Sequence, residues 1–161
     1  LLKTGKQLRD LTRAHEALLF VNDRVDLALS IEADGVHLGP QDPPLQDVRR
    51  IVPDEFIIGF SADDPDLAHS AVVEGANYIG CGTIYPTSTK PDAGDVIGMS
   101  GLRSVIDAVD VPVIAIGGIT NHRIAEVLAV GATGVAVASA IMSAPDAMQA
   151  TYSMFTALET S

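Results

Sequence analysis

The chain has 161 residues, 47% of them hydrophobic, a formal net charge of −11 and a single cysteine, Cys81. That is enough apolar material for one domain with a substantial core, and a lone cysteine excludes an internal disulfide, which fits a reducing, cytoplasmic setting. No charged-then-apolar leader opens the chain and no apolar run reaches the roughly 18 residues of a membrane helix, so neither export nor a membrane partner is expected. The acidic balance argues against nucleic acid but not against a small phosphorylated ligand, because local donors and a divalent cation can outweigh the global field inside a cleft.

Leu1 to His15 have helical period, with Leu8 and Leu11 on one side, as though the chain starts inside a crossover. Short β-rich apolar runs then predict strands over Ala17–Val21, Gly35–Leu38, Phe56–Phe60, Tyr78–Cys81, Val111–Ile116 and Gly134–Ala138. Between them, apolar residues three or four apart predict helices over Arg24–Ile31, Leu45–Ile51, Asp64–Glu74, Ser100–Val109 and His122–Val130. Gly75 and Gly131 suit left-handed helix stops. The alanine-rich stretch from Ala144 to Ala157 reads as the last helix, with Met148, Tyr152 and Phe155 closing the core.

This alternation is the pattern of a parallel sheet with crossover helices, and its near-repeat predicts an α/β fold of the TIM (β/α)8 barrel type. An open, doubly wound sheet is the main competitor. A complete barrel has eight strands and about 250 residues, whereas six strands can be drawn here. The expectation is therefore one (β/α) barrel domain over residues 1–161, N-terminally incomplete and lacking its first two strands.

In such a barrel chemistry gathers at the C-terminal ends of the strands, and the polar residues lie there. Asn22 and Asp23 follow the first strand, Gly39 and Asp42 the second, and Ser61 the third. The loop Thr83-Ile84-Tyr85-Pro86-Thr87-Ser88-Thr89-Lys90-Pro91-Asp92-Ala93-Gly94 follows the fourth, Gly117-Gly118 the fifth and Ser139 the last. Gly80 and Gly82 would let the backbone approach a ligand closely, the loop hydroxyls can donate hydrogen bonds, and Lys90 supplies a point charge suited to phosphate. Asp23 and Asp42, on neighbouring loops, could share one magnesium ion, which prefers one or two carboxylates plus phosphate oxygens and water. Asp23 equally suits a helix cap, and Asp42 a turn beside Pro43 and Pro44. Gly117-Gly118 resembles a phosphate-binding turn completed by Gly134 to Ile141, although a glycine pair also serves a plain tight turn.

The four histidines show no metal-site spacing, and His37, inside a strand, reads as structural like His15, His69 and His122. Cys81 has no neighbouring motif that would make it a nucleophile, and no serine sits in a nucleophile elbow. Without an evident base or nucleophile, catalysis would rest on metal, positioning and electrostatics.

Val21-Asn22-Asp23-Arg24-Val25-Asp26-Leu27-Ala28, Ala33-Asp34-Gly35-Val36-His37-Leu38-Gly39 with Asp42, Tyr85-Pro86-Thr87-Ser88-Thr89-Lys90, and Ala115-Ile116-Gly117-Gly118-Ile119 together resemble the thiamine-phosphate synthase family. The order and spacing match along nearly the whole chain. The resemblance implies a TIM barrel that joins a hydroxymethylpyrimidine diphosphate to a thiazole phosphate, releasing diphosphate and giving thiamine phosphate. It implies Asp23 and Asp42 as Mg2+ ligands and Asn22, Ser61 and Lys90 as holding the pyrimidine diphosphate. Ser61 and Lys90 are the catalytic candidates. Thr87, Ser88 and Thr89 resemble the thiazole-phosphate loop, and Gly118, Ala138 and Ser139 the backbone sites gripping that phosphate. The implied chemistry is loss of diphosphate to a pyrimidine-methyl cation that the thiazole nitrogen captures.

The family's glutamine-arginine-lysine motif at the second barrel strand falls before the point where this sequence begins. Asp63 stands where relatives often have histidine, and the related thiazole tautomerases are thought to use a histidine there for proton transfer, so Asp63 counts against that activity. A phosphate-ligand-binding barrel without turnover is the non-enzymatic alternative. The expected partners are small phosphorylated substrates, and the helix faces leave a homo-oligomer open without naming an interface.

Overall fold

The computed structural model describes residues 1–87, 89 and 94–160. Six parallel strands, β1 (Phe20–Asn22), β2 (Gly35–Leu38), β3 (Ile57–Ser61), β4 (Tyr78–Cys81), β5 (Val113–Ile116) and β6 (Gly134–Ala136), hydrogen-bond in strict chain order. The register pairs Asn22 with His37, His37 with Gly59, Ser61 with Gly80, and Cys81 with Ala115. A doubly wound sheet reverses its strand order at a switch point. This sheet does not reverse, so it has the strand order of a barrel segment, and the complete eight-stranded ring is not formed among the described residues.

The connections are helices α1 (Leu2–Ala14) before β1, then α2 (Val25–Ser30), α3 (Leu45–Ile51), α4 (Pro65–Val73), α5 (Gly98–Ala108) and α6 (Ile124–Ala129) between successive strands. After β6 come α7 (Ser139–Met142) and α8 (Ala147–Glu159). Asp64 caps α4 by accepting from the Asp66 and Leu67 N–H groups, and Asp146 caps α8 by accepting from Gln149. Gly75 and Gly131 end their helices at φ +109° and +112°, the left-handed stops expected of them.

Because side chains alternate along a strand, each strand offers two different faces. Val36, Leu38, Ile58, Phe60, Ile79, Cys81, Val113 and Ala115 are buried on the helix side, in one core cluster with Ala28, Val48, Ala68, Leu102, Val105, Ile124 and Val127. Each large side chain buried there contributes about 1.5–3 kcal/mol of transfer free energy. Gly35, His37, Gly59, Ser61, Tyr78 and Gly80 therefore share the opposite, inner face.

Strand limits moved for identifiable reasons. Residues 17–19 do not join the sheet, because the Ala17 N–H donates to Thr12 and the Leu19 N–H to the Asp34 carboxylate. Pro112 has no N–H to give, so β5 starts at Val113 rather than Val111. β6 stops at Ala136, and Ser139, expected just past a strand end, opens α7 instead.

The terminal helices correct the sequence reading more deeply. Met148, Tyr152 and Phe155 do not close the core: they are 81%, 67% and 56% exposed, and Met154 is the α8 residue that is buried. Leu8 and Leu11 are likewise exposed, while α1 buries Gly5, where a Cβ would stand 3.0 Å from the Ile31 side chain.

α1 is fastened by a polar contact. The Arg9 guanidinium pairs with the Asp34 carboxylate, Nη2 reaching Oδ1 at 2.9 Å, and the Leu19 N–H donates to Asp34 Oδ2 at 2.7 Å. Burial works to raise the Asp34 pKa, but the Arg9 hydrogen bonds and the Leu19 N–H outweigh it and hold the carboxyl below its ordinary value. Asp34→Asn is expected to lose about 1.5–3 kcal/mol at neutral pH, the range for hydrogen bonds to charged groups. A depressed carboxyl contributes stability above its unfolded pKa of about 3.9 and loses it as pH falls through the folded pKa. Urea unfolding from pH 7 downward should therefore show the gap between wild type and variant closing below about pH 4.

Candidate functional site

The C-terminal strand ends open into a cleft of about 1250 Å³. Its wall draws Asn22 from the end of β1 and Asp23 just beyond it, Gly39 and Asp42 from beyond β2, and Ser61 with Asp63 from β3 and its loop. Thr83, Pro86, Thr87 and Thr89 come from the loop after β4, Gly117 and Gly118 from beyond β5, and Ala138 with Ser139 from beyond β6. Every described residue singled out in the sequence as a site candidate thus faces one cavity. Ser88 and Lys90 lie outside the described residues.

On the β1–β2 side, Asp23 sits at φ +64°, a left-handed conformation that costs a non-glycine residue energy and is retained where its surroundings enforce it. Its N–H continues the β1–β2 ladder to the His37 carbonyl at 2.9 Å, and the chain turns sharply where the Arg24 N–H donates back to Asn22 O at 2.7 Å. Asp23 does not cap α2: the N-cap position is Arg24, and no side chain accepts there. Asp42 does act as a turn residue, Oδ2 accepting from the Gly39 N–H at 2.7 Å, while still lining the cleft. Among the described residues no three His, Cys, Asp or Glu side chains group to hold a metal alone. Two carboxylates on adjacent loops match a cation that takes its remaining ligands from phosphate and water.

On the opposite side the loops after β4 and β5 are stitched together. The Ile84 N–H donates to Ile116 O at 3.0 Å and the Tyr85 N–H to Gly117 O at 3.1 Å. Gly118 lies beneath this crossing at φ +62°, where a Cβ would be 2.7 Å from the carbonyl oxygens of Tyr85 and Pro86. Thr89 Oγ1 donates to Ser139 Oγ at 3.0 Å, joining the β4 loop to the start of α7. Gly80 and Gly82 do not simply clear space for a ligand. A Cβ on Gly82 would stand 1.9 Å from Ile116 O, and one on Gly80 2.8 Å from His37 Cε1, so both accommodate the protein itself.

Two cleft residues escaped the sequence reading. Arg123 packs over the Tyr85 ring at 4.1 Å and donates to Gly118 O at 2.6 Å, a clamp on the glycine turn. Tyr85 in turn donates to Glu126 at 3.0 Å. His37, read as structural, bonds through Nε2 to Ser61 Oγ at 2.8 Å and through Nδ1 to Tyr78 Oη at 2.9 Å. The signal available for it was Gly59 and Gly80, two small residues on the same sheet face as His37. Cys81 behaves as expected of an inert thiol: burial, with the Asp63 charge assisting, pushes it up to about 12.

The thiamine monophosphate synthase family model matches residues 1–141. The chain belongs to that family. It is 50% identical over 147 residues to the thiamine-phosphate synthase of Pyrococcus furiosus, covering 91% of this chain and 70% of that protein. A Methanoregula boonei thiamine-phosphate synthase is 48% identical over 150 residues, covering 93% of this chain and 69% of its own length. A solved thiamine phosphate pyrophosphorylase from Pyrococcus furiosus superposes with a TM-score of 0.91 at 44% identity, over 99% of this chain and 76% of that one. The family's fold thus accounts for the open sheet as consecutive strands of a TIM-like barrel.

Gly118→Ala is expected to destabilise the protein by about 1–3 kcal/mol, since alanine there meets both an unfavourable φ and two carbonyl oxygens. Urea unfolding measures it, and a wild-type midpoint in the variant would show that the β4 and β5 loops are not pressed together at this residue.

Proposed function

We propose that the protein is a transferase of thiamine biosynthesis that condenses 4-amino-5-hydroxymethyl-2-methylpyrimidine diphosphate with 4-methyl-5-(2-hydroxyethyl)thiazole phosphate, giving thiamine phosphate and diphosphate. The observation that carries this reading is the convergence of an Asp23–Asp42 carboxylate pair and a hydroxyl- and glycine-rich phosphate corner on one cleft, in a chain of this family. Asn22 and Ser61 hold the pyrimidine diphosphate, with Lys90 supplying a cation to it. Thr87, Ser88 and Thr89 bind the thiazole phosphate together with Gly118, Ala138 and Ser139. Opposite ends of one cavity then orient two rings for reaction, and positioning of this kind is worth several kcal/mol of barrier.

Asp23 and Asp42 are the residues that would hold Mg2+, with the diphosphate completing its shell. Bound there, the ion would supply charge neutralisation for the departing diphosphate. Asp42 has committed Oδ2 to the Gly39 N–H, which fixes its carboxylate orientation. Lys90 and the Ser61 hydroxyl stabilise the same leaving group, and no general base is needed when a ring nitrogen captures a carbocation. The absence of histidine at position 63 disfavours tautomerase chemistry.

With both substrates and Mg2+ the protein should form thiamine phosphate. Chelation of the metal, or Asp23→Ala, should lower kcat/KM by about 10²-fold or more, the scale of losing a transition-state electrostatic partner. Turnover retained without divalent cation, or unchanged in Asp23→Ala, contradicts the assignment. Calorimetric binding of thiamine phosphate by a protein with no turnover would instead identify a phosphate-ligand-binding barrel.

A further inference from the structure

The inner face of the sheet carries a hydrogen-bonded chain across three strands, and the proposed chemistry uses only its end, Ser61. Tyr78 on β4 reaches His37 Nδ1 at 2.9 Å, and His37 Nε2 on β2 reaches Ser61 Oγ, at the end of β3, at 2.8 Å. Space for it is built into the backbone. A Cβ on Gly59 would fall 2.1 Å from Tyr78 Cζ and 2.4 Å from its hydroxyl, and one on Gly80 2.8 Å from His37 Cε1. Phe20 holds the other side of the tyrosine edge-on, ring centroids 5.6 Å apart at 81°.

The two bonds to His37 are coupled, because its tautomer sets the direction of both. Burial raises the Tyr78 pKa, so the phenol keeps its proton. A half-buried phenol packed against the Gly59 backbone has His37 Nδ1 at 2.9 Å as its protein acceptor, and the relay takes that direction. Nδ1 is then unprotonated, Nε2 carries the hydrogen and donates to Ser61 Oγ, and the Ser61 hydroxyl hydrogen is directed to another acceptor. The opposite tautomer would spend the serine hydrogen on Nε2 and leave Ser61 able only to accept.

We propose that Tyr78 and His37 are positioning residues that fix Ser61 as a hydrogen-bond donor into the cleft, toward an acceptor atom of the pyrimidine diphosphate. This rests on the reading of Ser61 as a substrate contact. It gives His37 a task other than metal binding, proton transfer or core packing, and it ties the middle of the barrel interior to the rim.

The test joins nitrogen-15 NMR of the histidine ring to a double-mutant cycle on the full chain. Long-range proton–nitrogen correlation should show His37 as the Nε2–H tautomer in the wild type and a changed tautomer balance in Tyr78→Phe. In the cycle, Tyr78→Phe should lower kcat/KM by about 5- to 30-fold in the wild-type background, the scale of one buried hydrogen bond, and by less than about 2-fold in Ser61→Ala. His37→Gln, whose amide can still donate toward Ser61, should retain more activity than His37→Leu. An Nδ1–H wild type, or equal effects of Tyr78→Phe in both backgrounds, overturns the proposal. The spectrum reads out independently of turnover: an inert protein with the Nε2–H tautomer and its loss in Tyr78→Phe removes the synthase reading while leaving the relay in place.

Discussion

Room on the inner face of the sheet is the constraint on which the rest of the structure depends. Parallel strands that run in unbroken chain order bring one set of side chains together on that face, and they must share a limited volume. Gly35, Gly59 and Gly80 supply it by having no side chain where Phe20, Tyr78 and His37 lie; a Cβ at Gly35 would come within 2.6 Å of the Phe20 ring. The aromatic layer could not stand on this face with alanine at those positions. Above it the strands end, and the polar rim begins with Asn22 and Ser61.

The rim is organised by backbone as much as by side chains. A protein of net charge −11 can still bind a phosphorylated ligand if the donors are local, and the crossing of the β4 and β5 loops gathers hydroxyls, amides and a clamped arginine into one corner. The carboxylates stand apart from that corner on the β1 and β2 loops. Segregating the two chemistries at opposite sides of one cavity is what an enzyme needs if a cation and a diphosphate meet on one side and a second phosphate docks on the other. The outer helices serve this arrangement by burying the far face of the same strands, and the Arg9–Asp34 contact fixes α1 where apolar packing does not.

Much of this was legible in the residues. β2 and β4 have the predicted limits because each is a short β-rich run bounded by glycine or polar residues, and the two stop glycines act locally, within a few residues of where they sit. The strand-end candidates were found because a barrel sends its loops to one side whatever their detailed conformation. What the sequence concealed depends on partners distant along the chain. Met148, Tyr152 and Phe155 have the spacing of a core stripe, but a helix stripe is buried only where a neighbour covers it, and among the described residues none does. The Asp23 cap failed because the positive φ at that residue turns the chain before α2 begins. His37 looked structural because its partners, Ser61 and Tyr78, are 24 and 41 residues away. Gly80 in β4 and Gly82 just after it were read for a ligand, when the contacts they permit are with His37 and the β5 backbone.

The most direct measurement is a crystal structure of the protein with thiamine phosphate, diphosphate and Mg2+. The expected result is a cation shared by Asp23, Asp42 and the diphosphate, with the thiamine phosphate group against Gly118 and Ser139 on the other side of the cleft. Ligands seated elsewhere, or a diphosphate bound with no cation at either aspartate, would contradict the division of this cavity into a metal side and a phosphate side.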